Sequence, residues 1–248
     1  MIAAWERTIV AADPLVRRLA AFGSLGPTEI DLLRDAIQRP VSVAPRFEVS
    51  TAAGKGRHAL LLVSGWAARQ RVLADGRRQI VSFVLPGDFV SFSLHREPVR
   101  YATTVALTAA VVAEADVLLE TCIAQDYAAP LARTMRTVAA AEEALIAHQV
   151  TRLGRQTAYE RMSHLFLELR ERLSIAGIEP GDSFTLPVTQ EVLADALGLS
   201  VVHTNRTLQQ LRRDGLIRMS GMKVTLMDAA ALAALSDYVS IAKLAGRT

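Results

Sequence analysis

The sequence predicts an α+β fold in which a jelly-roll-like roll of short antiparallel strands, a long helix and a small helical domain with a β-hairpin follow one another. Short apolar runs separated by glycine and proline fill the stretch from about Pro40 to Leu119, a pattern typical of strands and turns. Residues 125–150 are rich in alanine and lack glycine, as expected of a long helix. Residues 189–217 show helical periodicity interrupted at Gly198. We expect domains at 1–124, 125–153 and 154–248.

A helical segment is predicted before the roll, over residues 1–38. Ile30 and Leu33 fall on one helical stripe there. Thr28 is the predicted cap of this stretch, because an acidic residue, Asp31, follows it by three positions.

Two turns divide the strands of the roll. Asp75-Gly76 predicts a tight hairpin between strands at 69–73 and 79–83. Pro86-Gly87-Asp88 predicts a second turn after that hairpin. Many short strands joined by such turns indicate a small antiparallel barrel or roll.

The long helix has a predicted start and an apolar stripe. Pro130 suits its first turn, where the missing N–H is not needed. Four apolar residues then recur at coiled-coil spacing, and Glu142 stands where a further one would belong. They are Leu131, Met135, Val138 and Leu145. The pattern leaves two interpretations: the stripe packs on the chain's own roll, or it forms a seam with a second copy. A further helix, from about 156 to 173, would begin the C-terminal domain.

Two short helices joined by a tight turn are predicted between residues 189 and 217. The first ends at Gly198, where a left-handed residue costs least. Ser200 caps the second by accepting a hydrogen bond from an otherwise unpaired backbone N–H. On the second helix Thr204, Leu208 and Leu211 share one face, and Val202, Asn205, Arg206 and Gln209 share the opposite one.

The second of these faces suits the major groove of DNA. The guanidinium of Arg206 can take O6 and N7 of guanine together, a carboxamide can pair with adenine, and a valine can meet a thymine methyl. The alternative interpretation is an ordinary solvated helix face. Three features favour DNA: the spacing around the glycine turn, Thr189 and Gln190 at the start of the first helix where donors reach phosphate, and a following hairpin. Its strands are predicted at 216–219 and 223–226, with the turn at Ser220-Gly221.

Positive charge surrounds this motif. Between His203 and Lys223 five cations stand against one acid, Asp214, and such an excess attracts phosphates. The cations are Arg206, Arg212, Arg213, Arg218 and Lys223. Motifs of this kind commonly read half-sites as two-fold dimers, which favours the interpretation of the long helix as a seam between copies.

Composition narrows the class of protein. Cys122 is the single cysteine, so no intrachain disulfide can form and a cysteine-ligated cluster has no ligand set. A net charge of +3 and 51% hydrophobic residues suit packed domains. We expect a cytoplasmic protein without a membrane anchor, because Glu6 and Arg7 follow the first five residues and the longest apolar stretch, 105–113, is too short for a bilayer.

The order of these parts resembles the Crp/Fnr family of bacterial transcription regulators, from about Phe22 to Leu235. Two stretches carry the resemblance: SGWAARQRVLADGRRQIVSFVLPGDF in the roll and FTLPVTQEVLADALGLSVVHTNRTLQQLRRDGLI in a winged helix-turn-helix. The resemblance implies that the second helix of the latter enters the major groove. It assigns base reading to Val201, Val202 and Arg206, and phosphate contact to Thr189, Gln190 and Ser200. His203, Asn205 and Gln209 complete the predicted DNA-binding set.

One departure bears on the operator. Members of the family that bind the best-known operator have Arg and Glu where this chain has Val201 and Val202. Two polar base readers are therefore replaced by apolar ones, so we expect a different preferred sequence.

The resemblance also implies a small-molecule sensor in the roll, and RNA polymerase as a further partner. Cyclic-nucleotide-binding members have a Gly-Glu pair for the ribose hydroxyl and an Arg-Ser pair for the cyclic phosphate, and this chain has Ser91-Phe92 and Arg100-Tyr101 there. Phe92 cannot accept a hydrogen bond from a hydroxyl, so we expect that cyclic AMP is not the effector. Arg100 either holds an anion or is a surface charge. Phe92, Arg100 and Tyr101 are the candidate effector residues.

We expect no cofactor or metal. The cysteine count excludes an iron-sulfur cluster, and neither Cys122, His58 nor His95 is identified as a haem ligand. The competing class is an enzyme with a cupin-like metal site, but His58 and His95 lie far apart and H-x-H spacing does not occur. The sequence also lacks a phosphate-binding loop, a nucleophile elbow and a paired-carboxylate motif.

A third class, an effector-binding protein that regulates by protein contact alone, leaves the basic helix unexplained. We therefore expect a homodimeric, sequence-specific transcription regulator that is not an enzyme and reads a palindromic operator.

Overall fold

A computed structural model describes residues 4–35, 37–49, 59–91, 102–124 and 129–244. The chain divides into two compact units. The first comprises residues 1–69, 83–140 and 175–177, and the second residues 70–82, 141–174 and 178–248. The second unit therefore combines a short segment from the first half of the chain with most of the C-terminal half.

Two helices open the first unit, α1 (Ala4–Phe22) and α2 (Pro27–Asp35). They occupy most of the predicted helical segment, but Thr28 does not cap it. Helix α2 already begins at Pro27, whose fixed φ suits the first helical position. The Glu29 carboxylate accepts a hydrogen bond from the N–H of Gly26 at 2.9 Å, so the cap lies two residues earlier than predicted.

Within the described residues the roll contains the strands β1 (Gln38–Val43), β2 (Leu60–Ser64), β3 (Ala67–Val72), β4 (Arg78–Val84), β5 (Phe89–Ser91), β6 (Thr103–Ala106) and β7 (Ala110–Glu114). Their order is β1-β7-β2-β5 in one sheet and β4-β3-β6 in another. Strand β7 pairs antiparallel with β1 and β2, and β2 with β5, which confirms the predicted roll. Its buried core includes Val43, Val49, Leu60, Leu62, Val84, Val90 and Val112.

Both predicted turns of the roll are present. Gly76 lies between β3 and β4 at φ +86°, and Gly87 follows β4 at φ +89°, values that favour glycine. A side chain at Gly87 would meet the carbonyl oxygen of Pro14 at 2.7 Å. The next residue, Asp88, pairs with Arg18 of α1 at 2.5 Å, and both are buried. The second turn is therefore packed tightly against helix α1.

Helices α3 (Asp116–Ala124) and α4 (Pro130–Arg155) follow the roll, and α4 begins at Pro130 as predicted. The apolar stripe of α4 does not have the predicted role as a seam. Its four members, Leu131, Met135, Val138 and Leu145, are at most 5% exposed. Because they are already buried within one chain, they cannot also meet a second copy, and packing within the chain is the interpretation that holds.

A different face of α4 is exposed. Ala139, Glu143, Ile146 and Val150 lie on it at spacings of four, three and four, and Ile146 and Val150 are 38% and 66% exposed. Coiled-coil spacing thus occurs twice on this helix. Spacing identifies an apolar stripe but does not identify what covers it.

The second unit contains α5 (Ala158–Ile175), β8 (Ser183–Thr185), α6 (Gln190–Leu197), α7 (Val201–Arg213), β9 (Ile217–Ser220), β10 (Lys223–Leu226), α8 (Ala229–Ser236) and α9 (Ile241–Leu244). The predicted hairpin is present as β9 and β10, but its turn lies one residue later than predicted, because Ser220 still pairs with Lys223. Strand β8 was not predicted. It pairs antiparallel with β10 through Phe184 and Val224, and the apolar alternation of Phe184 and Leu186 was its one sequence signal.

The helices in the described part of the chain include none that is long and apolar enough to cross a bilayer.

Candidate nucleic-acid interface

Helix α6 begins and ends at the predicted residues. Thr189 has extended backbone angles, and its hydroxyl oxygen accepts a hydrogen bond from the N–H of Val192 at 3.2 Å. At the other end Gly198 adopts φ +64° and ψ +37°, and its N–H donates to the carbonyl of Ala194. A left-handed residue at this position stops the helix and redirects the chain.

Helix α7 begins at Val201, three residues after Gly198. The Ser200 hydroxyl oxygen accepts from the N–H of His203 at 3.2 Å, which confirms the predicted cap. The predicted inner face is also confirmed, since Thr204, Leu208 and Leu211 are at most 5% exposed.

All nine residues predicted to bind DNA are exposed: Thr189, Gln190, Ser200, Val201, Val202, His203, Asn205, Arg206 and Gln209. Val202 is 71% exposed and Val201 43%, although neither side chain gains anything from contact with water. We call the outer face of α7, formed by Val202, Asn205, Arg206 and Gln209, the reading face. It combines a cation, two carboxamides and an apolar group. Side chains of these kinds can distinguish the base edges in a major groove.

One hydrogen bond joins α6 to the reading face. The side-chain amide of Gln190 donates to Oδ1 of Asn205 over 3.4 Å. Asn205 has one acceptor oxygen and one NH2 group. With the oxygen engaged, the NH2 group remains to donate to an acceptor outside the protein.

Cations flank the reading face, and the nearby acid is held by a tyrosine. Arg212, Arg213, Arg218 and Lys223 are all exposed. The carboxylate of Asp214, at the end of α7, accepts a hydrogen bond from the Tyr159 hydroxyl at 2.6 Å. Burial, this hydrogen bond and the charge of Asp214 raise the pKa of Tyr159 to about 12. Tyr159 therefore stays a donor that holds Asp214 in place.

The candidate effector residues are not among those that the structure describes. Phe92, Arg100 and Tyr101 lie outside the described residues, as do His58 and His95. Burial raises the pKa of the Cys122 thiol to about 11, so it is protonated at neutral pH. Over the described ranges, His, Cys, Asp and Glu do not gather in a group of three or more suited to a metal ion.

Comparison with known proteins finds two matching family models. Residues 160–235 match a Crp-like helix-turn-helix domain, and residues 46–117 match a cyclic nucleotide-binding domain. The first match contains helices α6 and α7, and the second contains most of the roll.

Named relatives and solved structures agree with these models. The nitrogen fixation regulation protein FixK of Bradyrhizobium diazoefficiens is 32% identical over 176 residues, 67% of this chain and 68% of FixK. The transcriptional activatory protein AadR of Rhodopseudomonas palustris is 28% identical over 224 residues, covering 86% of this chain and 87% of AadR. The structure of FixK2 from Bradyrhizobium japonicum superposes with a TM-score of 0.66 at 27% identity, covering 82% of this chain and 98% of FixK2.

Proposed function

This chain belongs to the Crp/Fnr family of bacterial transcription regulators, which are not enzymes, and from that premise we propose that it acts as a homodimer reading a palindromic operator through α7. The exposed reading face carries this proposal, because its side chains are left to solvent while the opposite face of the same helix is buried. Two copies of α7 about 34 Å apart would enter successive major grooves.

Each exposed residue has a role in this proposal. Arg206 binds O6 and N7 of a guanine, and Val201 and Val202 contact thymine methyl groups. The NH2 group of Asn205 donates to a base acceptor, while Gln190 holds its oxygen. Thr189, Gln190 and Ser200 contact phosphates beside the N-termini of the two helices. His203 and Gln209 flank the base readers.

The homodimer would be held by the exposed face of α4. Ile146 and Val150 lie on it at coiled-coil spacing, and Ala139 allows close approach of a second helix. This face replaces the buried stripe that the sequence suggested. A Val150→Asp variant should sediment as a monomer at concentrations where the natural chain is a dimer, because a charge would enter the seam. If the Val150→Asp variant remained a dimer, the exposed face of α4 would not be the dimer interface.

A signal at the roll would modulate binding. Phe92 stands where a carboxylate would take the ribose hydroxyl, which supports an effector other than cyclic AMP, and no cofactor is expected. We propose RNA polymerase as a further partner and the cytoplasm, where a bacterial operator lies, as the location of this protein.

Selection of bound duplexes from a random pool tests the function directly. We expect enrichment of two inverted half-sites centred about one helical turn apart, and an affinity that falls steeply between two salt concentrations. Enrichment of single or direct-repeat sites would contradict the symmetric dimer. A purified protein indifferent to every duplex would contradict DNA reading itself.

A further inference from the structure

The C-terminal end of α6 is held by side chains from three other elements. The last carbonyl oxygens of a helix have no partner within it. Here the side-chain amide of Gln79 donates to the carbonyl of Asp195 at 2.8 Å, and that of Gln149 to the carbonyl of Ala196 at 2.9 Å. Arg161 donates to the carbonyl of Leu197 at 3.0 Å. The donors belong to β4, α4 and α5, and all lie in the second unit.

A charged contact reinforces this end. The guanidinium of Arg78 places Nη2 2.6 Å and Nε 2.8 Å from the same carboxylate oxygen of Asp195. Both side chains are partly withdrawn from water, at 28% and 23% exposure. Hydrogen bonds between two charged groups are stronger than those between neutral groups. Arg78 and Gln79 are neighbours at the start of β4, so one short segment grips both the side chain and the backbone of Asp195.

Gln149 is locked in the orientation that this arrangement needs. Its side-chain oxygen accepts from Nε of Arg152 at 2.9 Å, and a guanidinium can only donate. The amide nitrogen of Gln149 must therefore face the other way, where it donates to the carbonyls of Ala196 and Ile80 at 2.9 and 3.1 Å. It thus joins β4 to the end of α6.

Arg152 is fixed in turn by a buried ion pair. Its Nη1 lies 2.8 Å from one oxygen of Glu168, whose other oxygen lies 3.2 Å from Arg172. Burial alone would raise the pKa of Glu168, but these two cations hold it below its ordinary value. The carboxylate is therefore charged at neutral pH, and the chain of contacts from β4 to α5 is complete.

We propose that Arg78 and Gln79 are positioning residues for DNA reading, acting as a clamp on the end of α6. The clamp residues lie more than a hundred positions before the helix they hold. Gly198 and Ser200 follow the clamped end directly and set the start of α7, while the reading face remains exposed. A helix held in its binding orientation loses less entropy on association. This inference rests on the proposed function, since it assumes that α7 reads DNA.

The first test removes Arg78. Arg78→Ala should raise the dissociation constant for the selected duplex about three- to tenfold, as expected for a partly buried charged pair. Arg77→Ala is the matched control: Arg77 is the preceding residue, is 78% exposed and pairs with Asp75 in the turn of the same hairpin. It removes an equal charge and should leave affinity unchanged. Fluorescence anisotropy measures the affinities, and circular dichroism checks that both variants fold.

The second test separates positioning from simple charge. Asp195→Ala removes an acid from a DNA-binding domain and introduces a residue that favours helix, so electrostatics alone predicts tighter binding. The clamp predicts weaker binding. The exchanged pair, Arg78→Asp with Asp195→Arg, should recover most of the affinity that either exchange loses alone. Hydrogen exchange of the amides at 198–204 should quicken in Arg78→Ala and not in Arg77→Ala.

The outcomes distinguish failure of the clamp from failure of the proposed function, DNA reading by α7. If the natural chain binds no selected duplex, the proposed function fails first. If it binds and Arg78→Ala matches Arg77→Ala, or binds more tightly than the natural chain, the clamp is overturned. Tighter binding by Asp195→Ala overturns it as well, even if Arg78→Ala does not fold.

Discussion

The second unit contains two polar regions that are built in opposite ways. On the reading face Asn205 and Arg206 point to solvent, and within the described residues no side chain pairs with the Arg206 guanidinium. In the interior the chain Gln149, Arg152, Glu168 and Arg172 is at most 6% exposed, and each member contacts the next. A buried charge must be paired, whereas an exposed one remains available. The unit thus has polar side chains available to a partner on its surface and fully paired charges in its interior.

A second chain of hydrogen bonds in the same unit is partly buried, and its donors and acceptors can be assigned. The Gln156 amide nitrogen donates to the carbonyl of Ser236 at 2.6 Å and lies 3.3 Å from Nδ1 of His164. A nitrogen that donates to a carbonyl also faces His164 as a donor, so Nδ1 of His164 accepts and its Nε2–H donates to Nδ1 of His148 at 3.4 Å. These bonds require both imidazoles to be neutral.

The largest expected effect comes from breaking the buried region. Glu168→Gln removes the buried carboxylate that pairs with both Arg152 and Arg172, which should lower the free energy of unfolding by about 3 to 5 kcal/mol. Urea denaturation measures the loss. Glu160→Gln, at a half-buried position of the same helix where a glutamine oxygen can still accept the hydrogen bond from the N–H of Thr157, should change it far less, by about 0.5 kcal/mol. An equally small effect of both substitutions would mean that the buried chain does not hold the unit together.

Acidification should weaken the unit through its two imidazoles, with a somewhat smaller loss. Burial first, and then the charge of Arg152, lower the pKa of His164 from 6.5 to about 4, and burial lowers that of His148 as well. The unfolded chain therefore takes up a proton at higher pH than the folded one, so the stability is complete above pH 6.5 and falls toward pH 4. The loss should reach about 3 kcal/mol.

Urea midpoints across this range give the slope. His164→Gln should flatten it, and His203→Gln, on the exposed surface, should not. A slope unchanged by His164→Gln would assign the titration to another group.

Arg206→Ala tests the exposed region with the opposite signature. It should cost about 1 to 3 kcal/mol of binding at the cognate site and relax selectivity at one base pair, while the urea midpoint stays the same. Arg213→Ala, further along the same helix, should weaken binding to all sequences alike. Unchanged operator binding by Arg206→Ala would show that Arg206 is not the base reader.

The smallest expected effect concerns the exposed valine. If Val202 contacts a thymine methyl, replacing that thymine with uracil should cost the natural chain about 0.8 kcal/mol, and should cost Val202→Ala little. Competition binding with the two duplexes measures the difference. Equal penalties for both proteins would remove Val202 from the set of base readers.

The sequence alone determined the features that depend only on contacts within a few residues along the chain. Thr189 and Ser200 accept hydrogen bonds from N–H groups three positions on. Gly198 stops a helix through its own φ, and Pro130 suits a first turn through its own ring. The inner and outer faces of α7 follow from the 3.6-residue period. Such features need no knowledge of the rest of the chain, so the helix-turn-helix was predicted residue by residue.

Tertiary structure decided which distant segments meet. The stripe from Leu131 to Leu145 has the spacing of a seam, yet it is buried within the chain. Periodicity identifies an apolar face of a helix but not the surface against which that face packs. Strand β8 is only three residues long, and it forms by pairing with the edge of β10 that β9 does not occupy. The contact of Gln79 with Asp195 spans 116 positions, and the imidazole pair spans 16. No local pattern encodes such pairs, since each forms only when the folded chain has returned to the same place.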